Sequence, residues 1–370
     1  MPRWFSLLLA LVVVLPLACP RLLTAGDKKK KPYSELPIIR SKDLQEDEVT
    51  QTPPPERQPP DAVAAATARL VFRTSPLQSK GLLTPQTREA LKTLLRDNRG
   101  ATIVALRAFV SGSGDMRRIQ DLTGEIFEDK HQPMPAITVV QAGGLPVETA
   151  QVVIESIAED KKTLNPNGLA FVSAQPASSL RESLDKLDGV LSQSGMRAGD
   201  VVRLTCFVSV LDGNANLSSR YSAAAVDLVQ MQREPVLPQA ACEAVARLHS
   251  APAHSVEFMG PSPTQPEAVL VNTPQIVLSG LQLGFGVEPA AVRLSFDHLE
   301  KALAGLHADL KSVVFTRVYL GSSALASKVR MIETERLHGP HAPASTYLPF
   351  QGLPSMDARL GIDVVAAPVQ

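Results

Sequence analysis

Apolar and polar positions along this chain follow one succession of periods, and the succession runs three times. Each pass opens on a short apolar strand: Leu70-Val71-Phe72, then Leu169-Ala170-Phe171-Val172-Ser173, then Ile276-Val277-Leu278-Ser279-Gly280. An amphipathic helix follows. In the third pass Val292, Phe296, Leu299, Leu303 and Leu306 fall on one helical face, because steps of three and four keep pace with 3.6 residues per turn. In the second, Leu180, Leu184, Leu187 and Leu191 repeat the spacing and Gly195 ends it. In the first, Thr84-Pro85 offers a cap and a first-turn residue ahead of Leu91, Leu94 and Leu95. A β-branched strand comes next, at residues 102–110, 201–210 and 312–320. A second helix is predicted over 116–127, 217–229 and 325–337.

A twelve-residue pattern then begins a further strand. Pro135-Ala136-Ile137-Thr138 leads to Gly144-Leu145-Pro146, and 208 positions on Pro343-Ala344-Ser345-Thr346 leads to Gly352-Leu353-Pro354, keeping six of the twelve residues. A degraded copy, Pro238-Gln239-Ala240-Ala241-Cys242 to Leu248, lies almost midway. A last strand closes each pass at 152–157, 255–259 and 360–365. A period near one hundred residues is that of a small domain rather than a solenoid unit. The order β-α-β-α-β-β predicts an α+β unit, a mixed sheet with both helices on one face. Its other face is apolar and needs cover. Three sheets facing inward around a pseudo-threefold axis, helices outward, supply that cover within one chain. The predicted units are 67–160, 161–260 and 261–370.

Composition limits function more than it directs it. The 370 residues are 44% apolar and 4% aromatic and carry no net charge, which argues against a nucleic-acid binder. Met1-Pro2-Arg3, the apolar run from Phe5 to Ala18 and Leu23-Thr24-Ala25 predict a signal peptide over 1–25 and an exported protein with no transmembrane segment in its mature form. Cys19 hints at a lipoprotein box, although Pro16 stands where such a box favours Leu. Residues 26–66, rich in Pro and Lys, read as a disordered tether. Cys206 and Cys242 are the cysteines left in the mature chain; pairing is open to them, and buried thiols are the default reading. Seven histidines form no metal pattern, His338-Gly339-Pro340-His341 reads as a polar turn, and no metal or cofactor is expected. Ser111-Gly112-Ser113-Gly114-Asp115 reads as a turn and Arg117-Arg118 as a wet helix face.

The unit resembles the Rid family of imine deaminases, often termed L-PSP endoribonucleases, which share a chorismate-mutase-like fold. The resemblance rests on Val172-Ser173-Ala174-Gln175, Ser279-Gly280-Leu281-Gln282, Asp200-Val201-Val202-Arg203, the three Pro-Ala motifs and Ile154-Glu155-Ser156-Ile157-Ala158, over roughly residues 67 to 370. It implies a trimeric arrangement with small-molecule clefts between units. The family's substrate-gripping Arg corresponds to Ile137, Ala240 and Ser345, none of which can make the bidentate pair an Arg makes with a carboxylate. The family's catalytic acid falls at Val153, Ser255 and Gly361. Glu155, Glu257 and Asp363, two residues on, are expected in surface or barrel-edge pairs. Ser218 before Tyr221 stands where the family has a helical Asn.

The expectation is therefore an exported, monomeric pseudo-trimer. It binds an imino- or keto-acid-like metabolite, or a protein partner, at clefts lined by Thr138, Cys242, Glu243, Ser345 and Thr346, without classical deaminase activity. The alternative is a divergent 2-imino acid deaminase or hydrolase using those residues in a rebuilt site. A third reading is a structural module of the cell envelope.

Overall fold

The computed structural model describes residues 58–112, 114–211, 217–233, 239–337 and 341–368. The predicted signal peptide, Cys19, most of the tether and His338 to Pro340 lie outside them, as does the side chain of Ser218. In chain order the first pass holds β1 (Ala62–Ala66), β2 (Leu70–Thr74), α1 (Leu83–Asp97), β3 (Thr102–Ser111), α2 (Arg117–Asp129), β4 (Ala136–Ala142) and β5 (Val152–Glu159). The second holds β6 (Leu169–Ala177), α3 (Leu180–Gln193), β7 (Val201–Val208), the single turn α4 (Leu217–Arg220), β8 (Ala225–Gln230) and β9 (Ala240–Arg247), then a hairpin of β10 (Val256–Met259) and β11 (Ala268–Val271). The third holds β12 (Gln275–Ser279), β13 (Gln282–Phe285), α5 (Pro289–Ala304), β14 (Val313–Leu320), α6 (Ala326–Arg336), β15 (Ala344–Pro349) and β16 (Ala358–Ala366).

One pairing rule repeats. The β-branched strand of each pass runs parallel to the strand after it and antiparallel to the closing strand: β3 with β4 and β5, β7 with β8 and β9, β14 with β15 and β16. This gives three mixed sheets, β2-β5-β3-β4, β10-β11-β6-β9-β7-β8 and β1-β12-β16-β14-β15, with β13 also on β16. Helices cover one face of each because their apolar stripes have nowhere else to go. Leu91, Leu94, Leu122 and Phe127 pack on Leu106 and Ile154. Leu184, Leu187 and Leu191 pack on Leu204 and Ala244, and Val292, Phe296, Leu299 and Leu303 pack on Val318 and Ile362. Two further clusters draw on all three sheets, one around Phe72, Phe171 and Phe315, the other around Phe109, Phe207 and Tyr319.

Leading strands do not stay with their own sheet. β1 pairs antiparallel with β12, and β11 pairs with β6. The last five residues of the predicted tether, 62–66, are therefore a strand, because Ala62–Ala66 completes the edge that β12 would otherwise leave open.

The middle pass departs from the reading by periodicity. The helix predicted over 217–229 stops at Arg220, and Ala225–Gln230 is a strand parallel to β7. Val226 and Leu228 pack on the helix-side core while Val229 and Met231 enter the shared one, so tertiary burial overrides the helix preference of the alanines. The degraded motif is thereby displaced. Ala240 to Arg247 is the closing strand, and residues 255–259 belong to the outer hairpin. The first helix also begins at Leu83, with Leu82 rather than Thr84 in the cap position.

Candidate functional site

The parallel strand of each pass abuts a strand from another sheet. On β4, Ile137 is sealed: its carbonyl accepts from Leu281 N at 3.0 Å. Gly280 permits the approach, since a Cβ there would lie 3.1 Å from that oxygen. Where β8 meets β2, Thr74 Oγ1 donates to Asp227 Oδ2 at 2.7 Å. On β15, Thr346 Oγ1 accepts from Ala174 N of β6 at 2.9 Å, yet a cleft of about 440 Å³ remains beside Ser345. Gln175, Pro263 and Pro266 line one wall, and Arg330, Glu333 and Tyr347 the other.

Glu333 gives this cleft its chemistry. Val329 and Glu333 on α6 and Leu337 at its C-cap are buried in step, which puts a carboxyl in an apolar stripe. Three hydroxyls meet it: Thr316 Oγ1 at 2.5 Å, Ser345 Oγ at 3.0 Å, and Tyr347 OH. Burial pushes the carboxyl up, and those hydroxyls offset only part of the rise. Tyr347 is raised as well, by burial and by Glu333. The Arg330 guanidinium lies 4.7 Å from the Tyr347 ring centre and is the one cation lining the cleft among the described residues. The cleft thus presents a protonatable carboxyl, the Ser345 and Tyr347 hydroxyls (Thr316 lies behind, outside the lining) and a guanidinium, which suits a small carboxylate with a polar group beyond it.

No protein-family model and no curated protein matches the chain. Among solved structures it is similar to a chorismatase, at 12% identity and TM-score 0.42 over 84% of this chain and 78% of that one. It is also similar to a YjgF/YER057c/UK114 family member from Mycobacterium tuberculosis, at 22% identity and TM-score 0.24 over 25% of this chain and 79% of that one. A YjgF family protein from Neisseria meningitidis gives 17% identity and TM-score 0.25 over 32% of this chain and 99% of that one. These likenesses are remote, and the chemistry of the cleft stands on its own residues.

The other predicted cleft residues lie elsewhere. Cys242 faces the helices and is disulfide-bonded to Cys206, directly opposite on β7, so the expectation of free thiols is corrected. Ala240 is buried on β9 rather than on a strand like β4. Thr346 is spent on the β6 backbone. Thr138 and Glu243 belong to a buried ionic cluster. With β9 as the closing strand, Glu243 stands where Glu155 and Asp363 stand, opposite Thr205, Arg107 and Arg317 respectively. Glu155 and Asp363 are buried, not at the surface as expected, while Glu257 stays half-buried on β10.

Glu243 Oε1 accepts from Arg107 Nη1 at 2.8 Å and from Arg317 Nε at 2.9 Å. Arg107 also donates from Nε to Glu155 at 2.7 Å, and Arg317 from Nη1 to Asp363 at 3.0 Å. Asp363 accepts in addition from Thr138 and Tyr319. Burial, then the neighbouring Glu155, push Asp227 well above the usual carboxylate range, and Arg107, Arg203 and Arg317 face Glu155, Glu243 and Asp363 beside it. The space enclosed is about 30 Å³, room for one water and no metabolite.

The cluster sets a pH dependence. Burial pushes Glu243 up, but Arg317, Arg107 and Arg203 overcome it and bring it from 4.5 to about 2. Its contribution is thus complete above the ordinary value and is lost as pH falls through the folded one. Asp227 and Glu333, both raised, act in the opposite sense. Urea midpoints should fall between pH 4.5 and about 2, with Glu243 accounting for about 3 kcal/mol of the loss. A Glu243→Gln protein with the same acid slope would refute the assignment.

Proposed function

We propose that the chain is three tandem Rid-like units, near 67–160, 161–260 and 261–370, closed on themselves as a pseudo-trimer. In this reading it is exported and binds a small imino- or keto-acid-like carboxylate between the second and third units, without imine-deaminase turnover. One observation carries it: the open cleft beside Ser345 draws its walls from two units, and Arg330 on α6 offers a guanidinium that the Pro-Ala motif lacks. The repeated pairing rule and the exchanged strands β1 and β11 support closure within one chain. The Cys206–Cys242 bond supports an oxidising compartment.

Calorimetric titration with 2-oxobutanoate tests this. Saturable binding is expected, weakened roughly tenfold in Arg330→Ala by loss of a charge-assisted pair. Hydrolysis of 2-iminopropanoate is expected at the buffer rate, and sedimentation should show a monomer. No binding, or an obligate trimer, sinks the reading. A second reading rests on the raised Glu333, a carboxyl suited to general acid-base work. Turnover that disappears in Glu333→Gln would establish the enzyme instead.

A further inference from the structure

Two of the three opening strands carry an added strand on the side away from their own closing strand: β12 carries β1, and β6 carries β11. β2 pairs with β5 and with no second strand among the described residues. Matched positions show what is missing. Phe72, Phe171 and Leu278 are equivalent, because each lies opposite the closing-strand residue (Ile157, Val245 or Val365) that follows the same register shift. Two residues on, Ser173 N donates to Glu267 O and Gly280 N to Asp61 O, both at 2.8 Å. Thr74 N, the third of the set, meets no acceptor among the described residues.

The chain leaves no room for the third added strand. β11 arises in the stretch 248–274 between β9 and β12, whereas residues 160–168 alone join β5 to β6. That loop closes only the start of the β2 edge, where Asn165 Nδ2 donates to Leu70 O at 2.9 Å. Arg69 O and Ser75 N bond on the β5 side, so the alternation of an antiparallel strand turns the backbone of Phe72 and Thr74 outward. A row of unpaired backbone groups is a template for another strand.

Side chains set the chemistry of what fits. Asp61-Ala62-Val63 and Glu267-Ala268-Val269 stand in one register, with a valine opposite Leu278 in the first and Phe171 in the second. Ala62 and Ala268 lie opposite Ser279 and Val172, but β2 has Arg73 at that place. Arg73 is exposed, and its guanidinium has no partner among the described residues. The adjoining loop adds Lys161 and Lys162 against Asp160, while Arg69 and Glu159 pair with each other, so the edge is net positive. The acids near Thr74 are buried on the inner face and engaged, Glu155 by Arg107 and Asp227 by Thr74 itself. A second copy docked edge to edge would bring Arg73 against Arg73, an opposition that like charges disfavour.

We propose that the β2 edge binds an extended acidic segment of a partner protein by antiparallel strand addition, with a small aliphatic residue opposite Phe72 and a carboxylate opposite Arg73. Backbone bonds to Phe72 and Thr74 hold the segment, and the cross-strand ion pair selects it.

The probe is a fluorescein-labelled peptide of residues 265–273 of this chain carrying Ala268→Glu, titrated with the full chain and read by fluorescence anisotropy. Saturable one-to-one binding is expected. N-methylation at the Val269 nitrogen, which faces β2 in this register, should weaken it about tenfold, and N-methylation at Leu270, which faces away, should leave it unchanged. Arg73→Ala should weaken the Ala268→Glu peptide about threefold and leave the unsubstituted peptide as it was, since only the first offers a carboxylate there. Absence of saturable binding, or equal losses from the two N-methylations, would overturn the proposal. So would a dimer in sedimentation that the peptide dissociates, because the edge would then belong to a second copy.

Discussion

Glu243→Gln is expected to destabilise the folded protein by about 3–5 kcal/mol, the effect of breaking a buried ion pair on one side only. Glu243 is fully buried and meets Arg107 and Arg317 at once, so its loss leaves two guanidiniums short of a carboxylate far from water. Arg203 gives the matching control. Its Nε has no partner, its nearest carboxylate oxygen is 3.6 Å away, and burial, then Arg317 and Arg107, bring it down to about 10. Arg203→Met should therefore destabilise less than Glu243→Gln, since Arg203 acts on Glu243 and Glu155 through charge without a close pair. Urea denaturation of the three proteins measures both effects. A Glu243→Gln midpoint equal to wild type would show that the cluster does not hold the sheets together.

The double variant Cys206→Ala, Cys242→Ala should lose about 4 kcal/mol, from the loop entropy that a bond across 36 residues removes from the unfolded chain. The bond joins residues already opposed on β7 and β9, beneath Leu184 and Leu187 of α3. Little else changes in the native packing, so dithiothreitol should shift the wild-type midpoint and leave the double variant where it is. Equal responses from the two proteins would mean that the thiols are not joined.

Much of the first and third passes was legible. Leu299 and Leu303 on α5, and the strand over Val313–Leu320, carry periods long enough that local preference and tertiary burial agree. The middle pass failed where they disagree. Ala223, Ala224 and Ala225 suggest a helix, but a strand is needed to close the β7 edge, and the one-strand shift carried Ala240, Cys242 and Glu243 away from the cleft. Glu333 left a trace, an acid on the stripe between Val329 and Leu337, although a lone acid at such a position does not say what it meets.

The alternation of strands and helices in the first and third passes, and the Ile137 and Ser345 that follow Pro-Ala there, were readable from the chain alone, since each depends on local period or residue type. Long-range packing settled the rest: which carboxylates face Arg107 and Arg317, that Cys206 meets Cys242, and that the cleft beside Ser345 stays open while Ile137 is sealed by Leu281. Those outcomes depend on strand register and on contacts between residues far apart in the chain. A slip of one residue turns every side chain of a strand to its other face, and no local pattern records which register the neighbouring sheets impose.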